Sequence, residues 1–159
     1  MYNIKIVAVG KLKEAYLVDG CKEYLKRLGG YCKVELIEIE EERLSEEPGE
    51  SLITAALEAE ADRIFQKTKG STVIALCIEG EKVSSEELSK RLDKYGISGK
   101  SSIAFVIGSS HGISERIKQA AELRLSMSDM TFPHQVARLM LCEQLYRAFT
   151  IMAGSKYHK

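Results

Sequence analysis

The 159-residue sequence has no C-x-x-C pair, no H-E-x-x-H, no long uninterrupted apolar run and no net charge at neutrality. Each absence removes a class of function. The four cysteines, Cys21, Cys32, Cys77 and Cys142, are scattered, which predicts reduced, mostly buried thiols and no disulfide framework. Histidine occurs only at 111, 134 and 158, without metal-ligand spacing, so no metal is expected. No segment approaches the roughly 20 apolar residues that span a bilayer. Ile4–Val9 reads as a strand and not as a leader, so a cytoplasmic protein without a membrane partner is expected. A balance of 23 Lys and Arg against 23 Asp and Glu argues against a strong unspecific binder of nucleic acid. Neither a P-loop nor a G-x-G-x-x-G at the first strand is present, which disfavours a nucleoside triphosphate or NAD.

The charge that is present is unevenly placed. Residues 38–50 hold seven glutamates against one arginine, whereas four Lys or Arg face a single Glu from Pro133 to the end. One basic face with the acidic stretch turned away is compatible with this, as is ordinary solvated surface.

Strand and helix patterns alternate along the chain. Strands are predicted at Ile4–Val9, Val34–Ile39, Val73–Ile78, Ser102–Ile107 and Leu123–Ser126, the middle ones as continuous apolar runs suited to parallel strands covered on both faces. Leu17, Cys21, Tyr24, Leu25 and Leu28 share one helical face, and Gly29-Gly30 closes that helix. Ile53, Leu57, Ala61 and Ile64 repeat the pattern, and Ser84 with Glu87 forms a capping box ahead of Leu88, Leu92 and Tyr95. The sequence therefore predicts one α/β domain over 1–159, a mainly parallel sheet with helices on both faces. A last helix, about His134 to Ala153, is apolar in nearly every direction. Such a helix needs cover on all sides, and part of that cover is expected from a second copy of the chain.

Candidate chemistry lies late in the sequence. The strand Ser102–Ile107 ends at Gly108-Ser109-Ser110-His111-Gly112, a turn at the kind of strand end where open α/β sheets bind ligands. Turns of this composition also occur for geometry alone. Replacing Gly108 by valine is expected to fill space that a ligand needs for close backbone approach. His134, next to Pro133, reads as a capping or packing residue. Arg138 and Arg147 are nine residues apart, about 180° around a helix, so they serve opposite sides. Arg147 has Glu143 one turn earlier as a salt-bridge partner. Arg138 has none in its own helix and is the better candidate for substrate contact. The tail Lys156-Tyr157-His158-Lys159 combines groups for phosphate binding, stacking and proton transfer.

Several segments in order resemble one family over essentially the whole chain. They are Ile6-Val7-Ala8-Val9-Gly10-Lys11, Phe105-Val106-Ile107-Gly108, Leu125 through Gln135, Glu143-Gln144-Leu145-Tyr146-Arg147-Ala148, and Tyr157-His158-Lys159. The resemblance is to the bacterial ribosomal large-subunit pseudouridine methyltransferase H family, of the SPOUT class. It implies a trefoil knot over about residues 72–159 and a homodimer around the last helix. It also implies S-adenosylmethionine as cofactor, held by Leu76, Gly108, Met127, Ser128, Asp129, Met130, Thr131 and Phe132. The implied reaction is methyl transfer to N3 of a pseudouridine in large-subunit (23S) rRNA, with the ribosome as partner. On that reading His158, Tyr157 and Arg138 carry the chemistry. Where the family has a second glycine after Gly108, this chain has Ser109. Other readings are a related knotted methyltransferase acting on a tRNA ribose, or a non-catalytic RNA-binding or ribosome-assembly module.

Overall fold

The computed structural model describes all 159 residues. Five strands form one all-parallel sheet: β1 (Asn3–Val9), β2 (Lys33–Ile39), β3 (Thr72–Lys82), β4 (Ser102–Ile107) and β5 (Leu123–Ser126). Their spatial order is β2-β1-β4-β3-β5, so the N-terminal strand β1 lies beside β4, the middle strand of the sheet. The helices are α1 (Ala15–Leu28), α2 (Glu50–Thr68), α3 (Ser85–Ile97), α4 (Glu115–Ala120) and α5 (His134–Met152). Parallel strands must be joined by crossovers, and these place helices on both faces as the apolar runs require.

Two apolar layers result. On one face Cys21 and Leu28 of α1, Leu88 and Leu92 of α3, and Leu141, Leu145 and Phe149 of α5 pack on Ile4, Ile6, Phe105 and Ile74. On the other, Ala61 and Ile64 of α2 and Ile117 of α4 cover Val7, Val9, Ala75 and Val106. The strand residues alternate between these layers with period two, which is why β1 and β4 are buried on both faces. The Ser84–Glu87 capping box forms as the sequence predicts, each side chain bonding the other residue's backbone N–H. All four cysteines are buried and free. The short α4 is an element that periodicity did not reveal, because six residues hold too few turns to show a pattern.

The cover for α5 comes mainly from its own chain. The helix lies with α1 and α3, and Leu141, Cys142, Leu145, Ala148 and Phe149 are all in the core. Other residues of α5, Val136 and Met140 among them, are partly exposed.

At its far end β3 departs from regular pairing. Leu76 is paired with Leu125 of β5, and after a break in register Glu81 meets the same residue. The intervening Cys77–Gly80 segment bends across β5 so closely that a Cβ on Gly80 would lie 2.7 Å from the Arg124 carbonyl oxygen. No side chain fits there.

One buried group away from this region sets a pH dependence. Glu60 of α2 accepts a bond from the Glu42 N–H through one oxygen, while the other has no partner. Burial, reinforced by Glu41 and Glu42, pushes its carboxyl above the usual range. A carboxyl with a raised folded-state pKa favours folding while protonated and loses that contribution as pH rises past its unfolded value. Glu60→Gln should therefore remove a loss of stability that the parent shows as pH rises above 4.5. Denaturant midpoints across that range check it, and parallel pH curves for the two proteins would refute it.

Candidate active site

The carboxyl ends of β3, β4 and β5 converge on a cleft of about 350 Å³. Its floor is Leu76, where β3 loses its regular pairing with β5, together with Ile107 and Leu125 at the ends of β4 and β5. One wall is the bend Cys77–Glu79, a second is the turn 108–113, and the third is the loop that leaves β5. Ile78 is 62% and Met130 73% exposed, an unusual state for large apolar side chains that flank a cavity. A flat apolar ligand seated between them would remove that surface from water.

The glycine turn is held by its own hydrogen bonds. Gly112 N–H donates to the Ser109 carbonyl at 2.9 Å, and His111 N–H to Ser109 Oγ at 3.3 Å. A Cβ on Gly108 would fall 2.2 Å from the Gly112 carbonyl oxygen and 2.7 Å from the Ile113 side chain. Glycine is thus required at 108 because the chain folds back on itself there; space for a ligand is not the first reason. The left-handed residue of the turn is Gly112, at φ +90°, with open space beside it. Ser109 has an ordinary negative φ, so its departure from the family's glycine introduces no strain.

Charge enters the cleft through one pair. Lys118 Nζ donates to Glu79 Oε1 at 2.5 Å, and both residues line the cleft. The contact lowers the Glu79 carboxyl and raises the Lys118 ammonium, so both remain ionised near neutrality. His111 and His134 complete the polar lining, which gives His134 a place at the site in addition to its position at the start of α5. In sequence Leu76–Glu79 reads as a second strand end of the ligand-binding kind, but nothing local brings Lys118 or His134 to Glu79, since their meeting depends on the bend in β3 and on α4.

Of the residues that the resemblance assigns to the cofactor, Leu76, Gly108, Met127, Ser128, Met130, Thr131 and Phe132 all border the cleft. Asp129 does not. Its side chain is 83% exposed and accepts a bond from Lys82 Nζ at 2.6 Å, which ties the loop to the end of β3. The loop is also closed by Ser126 Oγ–H on the Ser128 carbonyl and by Met130 N–H on Ser128 Oγ.

Arg138 requires correction. It is 1% exposed and enters the body of the protein, where Nη1 donates to Glu38 Oε2 at 2.5 Å and Nη2 to the Gly10 carbonyl at 3.0 Å. Glu38 Oε2 also accepts the Leu12 N–H at 3.1 Å. The arginine has a partner after all, a hundred residues away, and offers no surface to a substrate. Its role is to lock α5 to β2 and to the turn after β1.

The tail is ordered against its own chain. The Tyr157 ring meets Tyr146 edge-on at 4.7 Å between centroids, lies under the Arg147 guanidinium, and donates its hydroxyl to Glu143 Oε1 at 3.2 Å. Burial pushes the Tyr157 phenol up to about 12, so it is a donor and a stacking surface and not a base. His158 lies between Arg147 Nη1, 3.0 Å from Nδ1, and Glu86 Oε1, 2.6 Å from Nε2. Arg147 keeps the Glu143 contact that its spacing predicts, at 2.5 Å.

An all-parallel sheet with helices on both faces and a cleft at the carboxyl ends of its strands defines an α/β protein of the class that binds ligands at strand ends. The pattern of the family described as "Predicted SPOUT methyltransferase" matches residues 2–158. Proteins named "Ribosomal RNA large subunit methyltransferase H" are similar over 158 residues, 99% of both chains, at 47% identity in Acetivibrio thermocellus and 49% in Bacillus thuringiensis. The chain belongs to the SPOUT methyltransferase family. Among solved structures, a probable methylase family protein from Haemophilus influenzae matches 99% of this chain and 71% of its own, at TM-score 0.58 and 17% identity. The tRNA (m1G37) methyltransferase from Aquifex aeolicus matches 91% and 69%, at TM-score 0.52 and 16% identity. At those identities the likeness is one of fold. Membership of this family implies the trefoil knot, and the tight crossing of Gly80 over β5 lies within the predicted knotted segment.

Proposed function

We propose that this protein transfers a methyl group from S-adenosylmethionine to N3 of a pseudouridine in large-subunit ribosomal RNA, as a cytoplasmic homodimer acting on an assembled ribosomal particle. The observation that carries the reading is full-length similarity, at 47–49% identity, to proteins named for methylating that RNA. Balanced charge supports a substrate recognised by the shape of a particle more than by general attraction to phosphate.

The cleft suits the cofactor. Ile78, Met130 and Leu76 offer apolar cover for adenine, backbone groups of the 108–113 turn and the loop after β5 offer polar contacts, and Glu79 with Lys118 offers both signs of charge to an amino-acid end. When bound there, the cofactor supplies an electrophilic methyl on sulfonium. The protein's own part is placement and proton removal. N3 of the base is a weakly acidic imide and a poor nucleophile until its proton leaves. His158 is the tail residue suited to that exchange, while Tyr157 and Arg147 stack and orient.

Mass spectrometry of ribosomal RNA from cells with and without the protein tests the substrate. The reading predicts one methylated pseudouridine lost with the gene, and an unchanged modification profile would sink it. Removing residues 156–159 should abolish methylation on particles while leaving cofactor affinity intact. The loss of the Tyr146–Tyr157 contact should lower stability by only about 0.5–1.5 kcal/mol. Calorimetric titration and turnover on the same preparation separate these effects, and full turnover without the tail would contradict the assignment.

The dimer is proposed around the partly exposed residues of α5. Leu141 and Leu145 are core residues of this chain, so changing them would unfold it and say nothing of association. Val136→Glu should instead give folded monomers in sedimentation experiments. A parent chain that sediments as an active monomer would refute the proposal.

A further inference from the structure

His158 is held on both sides, and the two partners differ in what they can do. A guanidinium only donates hydrogen bonds, so Arg147 Nη1 at 3.0 Å obliges Nδ1 of the ring to accept. The ring hydrogen then resides on Nε2, where the Glu86 carboxylate receives it at 2.6 Å. We propose that Glu86 is a positioning residue for methyl transfer, fixing His158 in the Nε2–H tautomer so that Nδ1 is the basic nitrogen. This rests on the reading that the protein methylates an imide nitrogen of RNA.

The arrangement follows the logic by which a carboxylate orients an imidazole base and stabilises the imidazolium that forms. Glu86 is well placed for it. Contact with His158 holds its carboxyl below the usual range, and its own backbone N–H in the first turn of α3 lowers it further. The groups facing His158 are Glu86 from α3 and Arg147 from α5, with Glu143 bound behind Arg147 and Tyr157 adjacent in the tail. Ser84 and Ser85, immediately before Glu86, line a second cavity of about 250 Å³ that shares Leu125 and Met127 with the cofactor cleft. Glu86 is thus the next residue of α3 after two that line this cavity.

In the reaction, the N3 proton passes to Nδ1 and the electron pair left on N3 forms the new N–CH3 bond. The electrons of the broken S–CH3 bond stay on sulfur, and the imidazolium later gives its Nδ1 proton to water. Arg147 covers Nδ1 in the free protein. It remains anchored to Glu143 through Nε and Nη2 while Nη1 lets go, and an anionic RNA group is the competitor that draws it away.

The test has a readout that does not depend on turnover. Nitrogen-15 NMR of the ring in the full chain should show His158 as the Nε2–H tautomer in the parent and in Glu86→Gln, whose amide oxygen still accepts. It should show mixed tautomers only in Glu86→Ala combined with Arg147→Met, which removes both constraints on the ring. Single-turnover methylation of ribosomal particles should fall about tenfold or more in Glu86→Ala, with most of the rate restored in Glu86→Gln and cofactor affinity unchanged in both. A parent ring protonated on Nδ1, or a Glu86→Ala variant with the parent's rate, would overturn the proposal. Failure of the parent itself to methylate ribosomal RNA would instead overturn the substrate reading, and the base role with it.

Discussion

Gly108→Ala should weaken cofactor binding at least tenfold and should destabilise the fold. The added Cβ would meet the Gly112 carbonyl oxygen at 2.2 Å and the carbonyl carbon at 2.6 Å, both backbone atoms that cannot turn aside as a flexible side chain would. The 108–113 turn must open, breaking the Gly112–Ser109 hydrogen bond that closes it. Forcing an extra carbon into packed structure costs about 1–3 kcal/mol. Because the same turn forms a wall of the cleft, calorimetry should show cofactor affinity reduced at least tenfold. Ser109→Gly is the control: that backbone is unstrained, so stability and affinity should both stay close to the parent's. A Gly108→Ala protein with the parent's denaturant midpoint and affinity would show that the turn yields at no cost, contrary to this geometry.

Arg138→Met should be the most destabilising single change outside the apolar core. It leaves the Glu38 carboxylate and the Gly10 carbonyl without their shared donor. Breaking a buried ion pair from one side costs about 3–5 kcal/mol. Glu38 retains partial access to water and the Leu12 N–H, which places this case near the lower end. At about 2–4 °C per kcal/mol for a chain of this size, the melting temperature should fall by roughly 6–12 °C. Glu38→Gln combined with Arg138→Met should cost less than the sum of the two, since each removes the same contact. A stable but inactive Arg138→Met protein would return this arginine to the substrate.

Most of the architecture is legible in residues close together in sequence. The apolar runs at Ile4–Val9 and Ser102–Ile107 require strands buried on both sides, and both become central strands of a parallel sheet. Ser84 and Glu87 are three apart, so their capping box forms wherever the helix goes. The cleft was partly legible as well. A glycine turn after a buried strand and an apolar loop after another must lie at strand ends, and parallel pairing brings such ends together.

What sequence did not reveal depends on the crossing of distant segments. The spacing of Arg138 and Arg147 correctly put them on opposite sides of α5, yet only the tertiary fold brings Glu38 of β2 within reach of one of them. Glu143 reached Arg147 as a neighbour on the same helix, whereas Glu86 reached His158 across 72 residues. Gly108 reads in sequence as room for a ligand and proves to be room for the chain's own Gly112 carbonyl. Periodicity determines which face of an element is apolar, because each turn or pleat repeats within a few residues. It carries no information on which polar group from another element will meet a given side chain. Tertiary structure decides those meetings, and with them which side chains are buried as locks and which remain available for chemistry.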